Sequence, residues 1–578
     1  MNFLYPIYTE QTECQDCYKC IRQCPVKAIR VENGHAMVVS ELCIMCGNCV
    51  INCSAKAKHV RDDIPKARQL MQLKKRVIIS LAPSFASEFP EFTPQQIVAA
   101  LKRLGFWGVS ETALGADFVS AHLSETFKNE INKKDGQKLF LSSACPSVVE
   151  FIKQYMESYA PYITDCASPL LAHARYLKKI YGDDIGIIFI GPCIAKKGEA
   201  DSFPEIDAAV TFENLRKWLD HEGITPYNCI PKEDDRFIPQ KAAQGALYPI
   251  DGGMISSVNN YGNPIRSMSV SGIGQIKEAL EGLDIKSLAE PLFIELLACK
   301  GGCINGPVTK RKSAAAIRHV QLMQYADNVE KTLPETILEN KPEIQGTLPI
   351  NAIPKAEHSE EEIRDALRTV GKYTAADEVN CASCGYDTCR AFAEAMLDNR
   401  AEKTMCVSYM RKLAQKKANG LIKAIPGGVV IADKDLKIVE CNENFARLLG
   451  SDVLEMYEIK PGMEGADLDK LAGFARFFSD VISTNGPDVI ERDVREGKKI
   501  FHVSVFAIEK ESIAGGVIED VTAPEVQKHR IISQAKKVID KNLSVVQQIA
   551  FLLGENAAES EAILNSIIES FSEDEDEQ

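Results

Sequence analysis

Short apolar runs alternate with amphipathic stretches through the middle of this chain. Val77–Leu81, Phe140–Leu141, Ile185–Ile190 and Phe293–Leu297 are continuous and apolar, which predicts buried strands. Pro94–Leu104 and Ser147–Tyr155 carry helical spacing between them. From about Val77 to Asn340 the pattern is therefore α/β, with loops following strand ends, where ligands of open sheets sit. The text changes between about Gly420 and Val526. Residues 427–433 and 437–442 predict two strands joined by a polar turn, and Asn442 or Asn444 caps a helix carrying Phe445, Leu448 and Leu449. Lys499–Phe506 and Gly515–Glu519 predict later strands. Ile531, Val538, Val545 and Leu552 then recur every seven residues, with Ala535, Asn542 and Ile549 four further on. That spacing predicts a coiled-coil seam; two helices folding back on the preceding sheet are the alternative.

A length of 578 residues requires several domains. With 45% hydrophobic and 26% charged residues the composition suits packed cores, and a net charge of -14 argues against nucleic-acid binding, which needs basic patches. The apolar runs fall far short of the ~20 residues of a membrane helix. The N-terminus has no basic segment leading into an apolar core, so a cytoplasmic protein with no membrane partner is expected.

The 19 cysteines change the picture most. Their tight clustering suits ligands converging on metal; disulfides between such near neighbours would staple little. Cys14, Cys17, Cys20 and Cys24 are repeated at an offset of 29 residues by Cys43, Cys46, Cys49 and Cys53. Both runs read C-x2-C-x2-C-x3-C, the first followed by Pro25 and the second by Ser54. This duplication resembles the bacterial ferredoxin run that binds two 4Fe–4S clusters. The resemblance implies one cluster on Cys14, Cys17, Cys20 and Cys53 and another on Cys43, Cys46, Cys49 and Cys24; paired zinc sites are the alternative.

Four more cysteines follow the central strands: Cys145 in Ser-Ala-Cys-Pro, Cys193 in Gly-Pro-Cys-Ile-Ala-Lys-Lys, and Cys299 with Cys303 in Cys-Lys-Gly-Gly-Cys. Thiolates from three loops can enclose one cubane, and Gly301 and Gly302 let the backbone approach it. These segments resemble the signature loops around the H-cluster of FeFe-hydrogenases, over roughly residues 1–345. That resemblance implies that the four cysteines hold a 4Fe–4S cube and that Cys303 bridges to a di-iron unit bearing CO, CN and azadithiolate. It also implies that Lys196 and Ser84 hydrogen-bond the two cyanides. Relatives with a rapid proton relay carry a cysteine where Ala144 stands and a glutamate where Leu123 stands, beside His122. Two methionines near the di-iron unit become Gly191 and Leu297, and Gly306-Pro307 replaces a Gly-Gly run. A relay side chain contributes about 10²–10⁴ in rate, so slow turnover is expected. His122, Glu125 or water is an alternative route. Some relatives keep the cysteines but lack the di-iron unit and serve iron–sulfur assembly; retention of Lys196 and Ser84 argues against that reading.

Lys341–Glu362 is rich in Pro, Glu and small residues and reads as a linker. Cys381, Cys384, Cys389 and Cys406 then resemble a small four-cysteine 4Fe–4S domain, with zinc again the alternative. The strand–strand–helices–three-strand order ending in Asp520-Val521-Thr522 resembles a PAS domain. The expectation is a multidomain α+β and α/β chain. Its parts are a two-cluster ferredoxin domain at 1–70, an H-cluster domain at 75–345, a linker at 346–365 and a 4Fe–4S domain at 366–413. A PAS domain at 414–526, coiled-coil or signalling helices at 527–571 and an acidic tail at 572–578 follow. The resemblances imply a sensory FeFe-hydrogenase that slowly interconverts dihydrogen with protons and electrons. Its implied partners are a ferredoxin-like electron carrier and a kinase or phosphatase reached through the PAS module and helices, with the chain a homodimer. A catalytic hydrogenase with PAS-mediated regulation is the alternative.

Overall fold

The computed structural model describes residues 4–133, 136–310, 313–346, 356–522 and 534–538. The coiled-coil seam, the second amphipathic helix and the acidic tail lie outside these residues, save for 534–538. The chain divides into two compact units, Met1–Met410 and Arg411–Gln578.

The first unit opens with the cysteine duplication, which recurs in the backbone. β1 (Ile7–Thr9) pairs antiparallel with β4 (Lys58–Val60), and β2 (Ile29–Glu32) forms a hairpin with β3 (His35–Val38). Asn33 and Gly34 turn that hairpin with φ of 53° and 85°, the left-handed conformation that a tight hairpin requires. Short helices α1 (Lys19–Gln23) and α2 (Asn48–Asn52) sit between the cysteines of each run. Asp16 and Met45, Tyr18 and Gly47, and Lys27 and Lys56 are all left-handed, each pair separated by the 29 residues of the repeat. Left-handed turns at matching positions wrap each run around its own centre.

Two parallel sheets follow. β5 (Val77–Leu81), β6 (Gly108–Glu111), β8 (Gly186–Gly191) and β9 (Ala208–Thr211) form one, in the order β6-β5-β8-β9; β7 (Leu139–Leu141), β10 (Arg266–Ser271) and β11 (Leu292–Leu297) form the other, in the order β10-β11-β7. All residues of β5 and β8 are buried, as parallel strands covered on both faces require. The helices that matter for the site are α3 (Thr112–Ile131), α4 (Pro146–Tyr155), α5 (Ala195–Ser202) and α6 (Gly253–Asn260).

The structure revises the end of this unit. Helix α7 (Glu360–Thr369), started by a capping box between Ser359 and Glu362, begins inside the segment expected to be linker. It pairs with α8 (Cys389–Leu397), and the four-cysteine segment packs on the front of the chain. Ile21, Tyr386, Phe392 and Met405 share one core. Val31 N–H donates to Arg400 O at 3.1 Å, and Lys27 Nζ to Gly385 O at 2.7 Å.

In the second unit β12 (Gly428–Asp433), β13 (Ile438–Cys441), β14 (Val489–Glu496), β15 (Lys499–Glu509) and β16 (Ile513–Asp520) form one antiparallel sheet, ordered β13-β12-β16-β15-β14. Asn442 is the helix cap: its Oδ1 accepts Phe445 N–H at 2.9 Å, and α9 (Glu443–Leu449) follows. Phe445, Phe474, Phe478 and Phe501 are fully buried, filling the space between helices and sheet.

Candidate metal and active site

The loops leaving β7, β8 and β11 meet at one cavity of about 100 Å³. Cys145, Cys193 and Cys303 line it, and Cys299 stands close behind. Each loop has a local cause. Pro146 starts α4 immediately after Cys145, which fixes where the first loop stops. Ser142 Oγ accepts Leu296 N–H at 2.9 Å, locking the first loop to β11. Gly302 adopts φ 95°, and a Cβ there would lie 2.2 Å from Pro249 O, so no side chain fits between the two third-loop cysteines.

Burial pushes the Cys193 thiol up to about 11, with Cys145 adding to the rise. Burial also raises Cys299 and Cys303 well above the ordinary thiol range, and the other cysteines of the set reinforce the effect. Lys196 acts in the opposite sense on Cys193 and Cys303. Cys193, Cys299 and Cys303, each disfavoured as a lone thiolate in a dry site, suit a multivalent iron cluster.

Ser84 and Lys196 lie on the cavity wall. Ser84 Oγ is buried with no hydrogen-bond partner, an unsatisfied donor left facing the cavity. Lys196 Nζ donates to Glu199 Oε2 at 2.5 Å and to Ser168 Oγ at 3.0 Å. An ammonium has three donors, so one remains for a ligand. Ala144 also lines the wall and has no proton to exchange, while Leu123 is fully buried on α3. His122 is half-buried, and desolvation lowers its pKa. Gly191 stands at the end of β8, and Leu297 lines the cavity at the end of β11.

Sequence reading missed three polar groups on this wall: Thr112, Tyr248 and Glu295. Glu295 accepts Ile255 N–H at 3.1 Å, and burial raises its carboxyl to about 8. The available signal was a single glutamate inside the apolar strand Leu292–Leu297, where an unpaired charge is costly.

Most of the remaining cysteines fall into three groups. Burial dominates the rise of Cys20 to about 11, and the thiols adding to it are Cys14, Cys17 and Cys53. For Cys46, raised by burial to about 12, and for Cys49 the neighbouring thiols are Cys43 and Cys24. Buried Lys58 acts on both Cys20 and Cys49. Cys46 also reaches Cys299, so the second run abuts the central site. Cys381 and Cys406 are the thiols acting on Cys384, while Cys389 begins α8. Tyr386, whose hydroxyl is buried without a partner, feels both Cys384 and Cys24. Cys166, Cys229 and Cys441 are buried outside these groups.

Comparison with known proteins agrees with this layout. The family described as iron only hydrogenase large subunit, C-terminal domain, matches residues 75–307. A 4Fe-4S dicluster domain matches residues 6–54, an Fe-S cluster family residues 377–408 and a PAS domain residues 417–483. The periplasmic iron hydrogenase large subunit of Nitratidesulfovibrio vulgaris is 24% identical over 52% of this chain and 86% of its own length. The NADP-reducing hydrogenase subunit HndD of Solidesulfovibrio fructosivorans is 25% identical over 52% of this chain and 64% of its own length. The cytosolic Fe-S cluster assembly factor narfl of Danio rerio is 21% identical over 47% of this chain and 80% of its own length. The chain thus carries, over residues 75–307, the C-terminal domain of the iron-only hydrogenase large-subunit family, with a 4Fe–4S dicluster domain in front and an Fe–S cluster domain and a PAS domain behind.

Proposed function

We propose that the chain is a sensory FeFe-hydrogenase, which binds dihydrogen, turns it over slowly and passes the resulting redox state to a partner protein. The observation that carries this reading is the composition of one wall: donors for bound anions at Ser84 and Lys196, and an apolar methyl at Ala144 where a proton would have to pass. Cys145, Cys193, Cys299 and Cys303 would hold a cube with a di-iron unit on Cys303. When bound, that group supplies an open iron position that polarises dihydrogen as a Lewis acid and a cluster that takes its electrons. Lys196 and Ser84 orient anionic ligands in a site dry enough for each hydrogen bond to count.

Electrons have neighbouring thiols to follow, from Cys299 to Cys46, on to Cys24 and, across Tyr386, to Cys384. A ferredoxin-like carrier and a kinase or phosphatase are the proposed partners, with a cytoplasmic location and a homodimer. Among the described residues no helix is long and apolar enough to cross a membrane.

Infrared spectroscopy of the matured full chain tests the reading. Carbonyl and cyanide bands that respond to hydrogen, with turnover well below that of relay-equipped enzymes, are the expected result. High turnover would favour a working hydrogenase with a regulatory PAS module. Absence of the bands would leave an assembly role, in keeping with the name of the Danio rerio relative. The orphaned Ser84 hydroxyl stands against that outcome.

A further inference from the structure

The lost relay leaves the cavity without an evident proton exit through Ala144 and Leu123, yet its wall is not wholly inert. Tyr248 lines the cavity, and its hydroxyl stands 2.8 Å from Ser120 Oγ. Ser120 Oγ in turn donates to Ser257 Oγ at 2.8 Å. Ser120 and Ser257 are fully buried, on α3 and α6 respectively. Buried hydroxyls cost free energy unless satisfied, and these satisfy one another.

One helical turn further along, the same two segments meet again through polar groups. Ser124 Oγ donates to Tyr261 O at 2.8 Å, and Lys128 Nζ reaches the same carbonyl at 3.1 Å. Ser124 and Tyr261 line an open groove, together with Glu125 and Lys341. Residues four apart on a helix stack on one face, so Ser120 and Ser124 form two rungs of one polar seam. Four residues of helix rise about 6 Å, a span that one bridging water would cover.

We propose that this seam, from Tyr248 through Ser120, with Ser257 beside it, to Ser124, is the proton path between the cavity and the groove, replacing the relay absent at Ala144 and Leu123. The inference rests on the hydrogen-reacting role proposed above. As a proton arrives at one hydroxyl oxygen, that hydroxyl's own proton leaves for the next oxygen. No hydroxyl ends ionised or oxidised, and water in the groove takes the last proton. The electrons from dihydrogen leave separately, through the thiolate-held clusters. Burial raises the Tyr248 hydroxyl well above the usual tyrosine range, which suits a group that exchanges protons without ionising. The other polar chain from the cavity, Thr112–Ser80–His173–Ser110, leads to no described groove, whereas Ser124 lines one.

The test uses the matured full chain, with Tyr248→Phe, Ser120→Ala, Ser120→Thr and, in the closed network, Ser110→Ala. Its readouts are hydrogen uptake and the rate at which the infrared bands respond to a step from H2O to D2O buffer with no hydrogen present. The expected result is a slowing of both by tenfold or more in Tyr248→Phe and Ser120→Ala. Rates should recover in Ser120→Thr and stay unchanged in Ser110→Ala, with band positions preserved. Unchanged rates in both Tyr248→Phe and Ser120→Ala, with bands intact, would overturn the path alone. Wild-type protein without carbonyl and cyanide bands would overturn the function and the path together.

Discussion

Gly47 and Pro307 abut so closely that a Cβ on Gly47 would lie 2.5 Å from Pro307 Cβ. The first belongs to the second cysteine run and the second follows the third cavity loop, so this contact seats one set of thiols against the other. Gly47 also adopts φ 77°, which side-chain-bearing residues disfavour. Gly47→Ala should therefore cost about 1–3 kcal/mol in stability and slow electron delivery to the central site. Thermal unfolding reads the first effect, and the rate of cluster re-oxidation after a pulse of reductant reads the second.

Lys58 is buried, donates to Thr9 Oγ1 at 2.5 Å and acts on thiols of both front groups. A fixed positive charge favours the reduced, more negative form of each cluster. Lys58→Met should lower both midpoint potentials by roughly tens of millivolts, where about 59 mV is a tenfold change for one electron. Redox titration followed by electron paramagnetic resonance measures this, and a shift in only one cluster would contradict the shared position of Lys58.

Ala144 lines the cavity beside Cys145. Ala144→Cys should speed hydrogen uptake tenfold or more, within the roughly 10²–10⁴ that a positioned proton carrier contributes. Steady-state uptake with an artificial electron acceptor measures it. No gain would mean that proton transfer does not limit the native rate.

His173 is fully enclosed between Ser80 and Ser110, each 2.8 Å from a ring nitrogen, and burial lowers its pKa to about 3. An unfolded histidine titrates near ~6.5. Because the folded value is depressed, the stability held by the neutral ring is complete above about pH 6.5 and is lost as pH falls towards 3. His173→Gln, which does not titrate, should show a shallower fall in urea midpoint between about pH 6.5 and 4.

The cysteine runs and the strands before Cys145, Cys193 and Cys299 were legible because their signals are local: fixed spacing and short apolar runs ending in a loop. The helix cap was narrowed to Asn442 or Asn444 and needed the structure to choose Asn442. Strand β14, the first of the three expected late strands, was not located because Val-Ile-Glu-Arg-Asp-Val-Arg-Glu buries little on either face, so no period-two pattern marks it. Glu295, Tyr248 and Ser120 were invisible for a different reason. Each is a lone polar residue in an apolar context, and its role exists only once distant segments meet. The start of α7 was hidden by its neighbours, since Ser359 and three glutamates read equally well as linker and as a helix start.

The packing of Tyr386, Phe392 and Met405 against Ile21 has a consequence for anyone who cuts the chain. A fragment ending near residue 345 keeps every central thiol, and so reads as a self-sufficient cassette. It would nevertheless strip the cover from the face around Ile21, exposing apolar surface beside Cys20 and Cys24. Such a fragment should aggregate and lose iron from its front end first, even though no ligand has been removed from it. The last thiol group in the sequence is the shelter of the first.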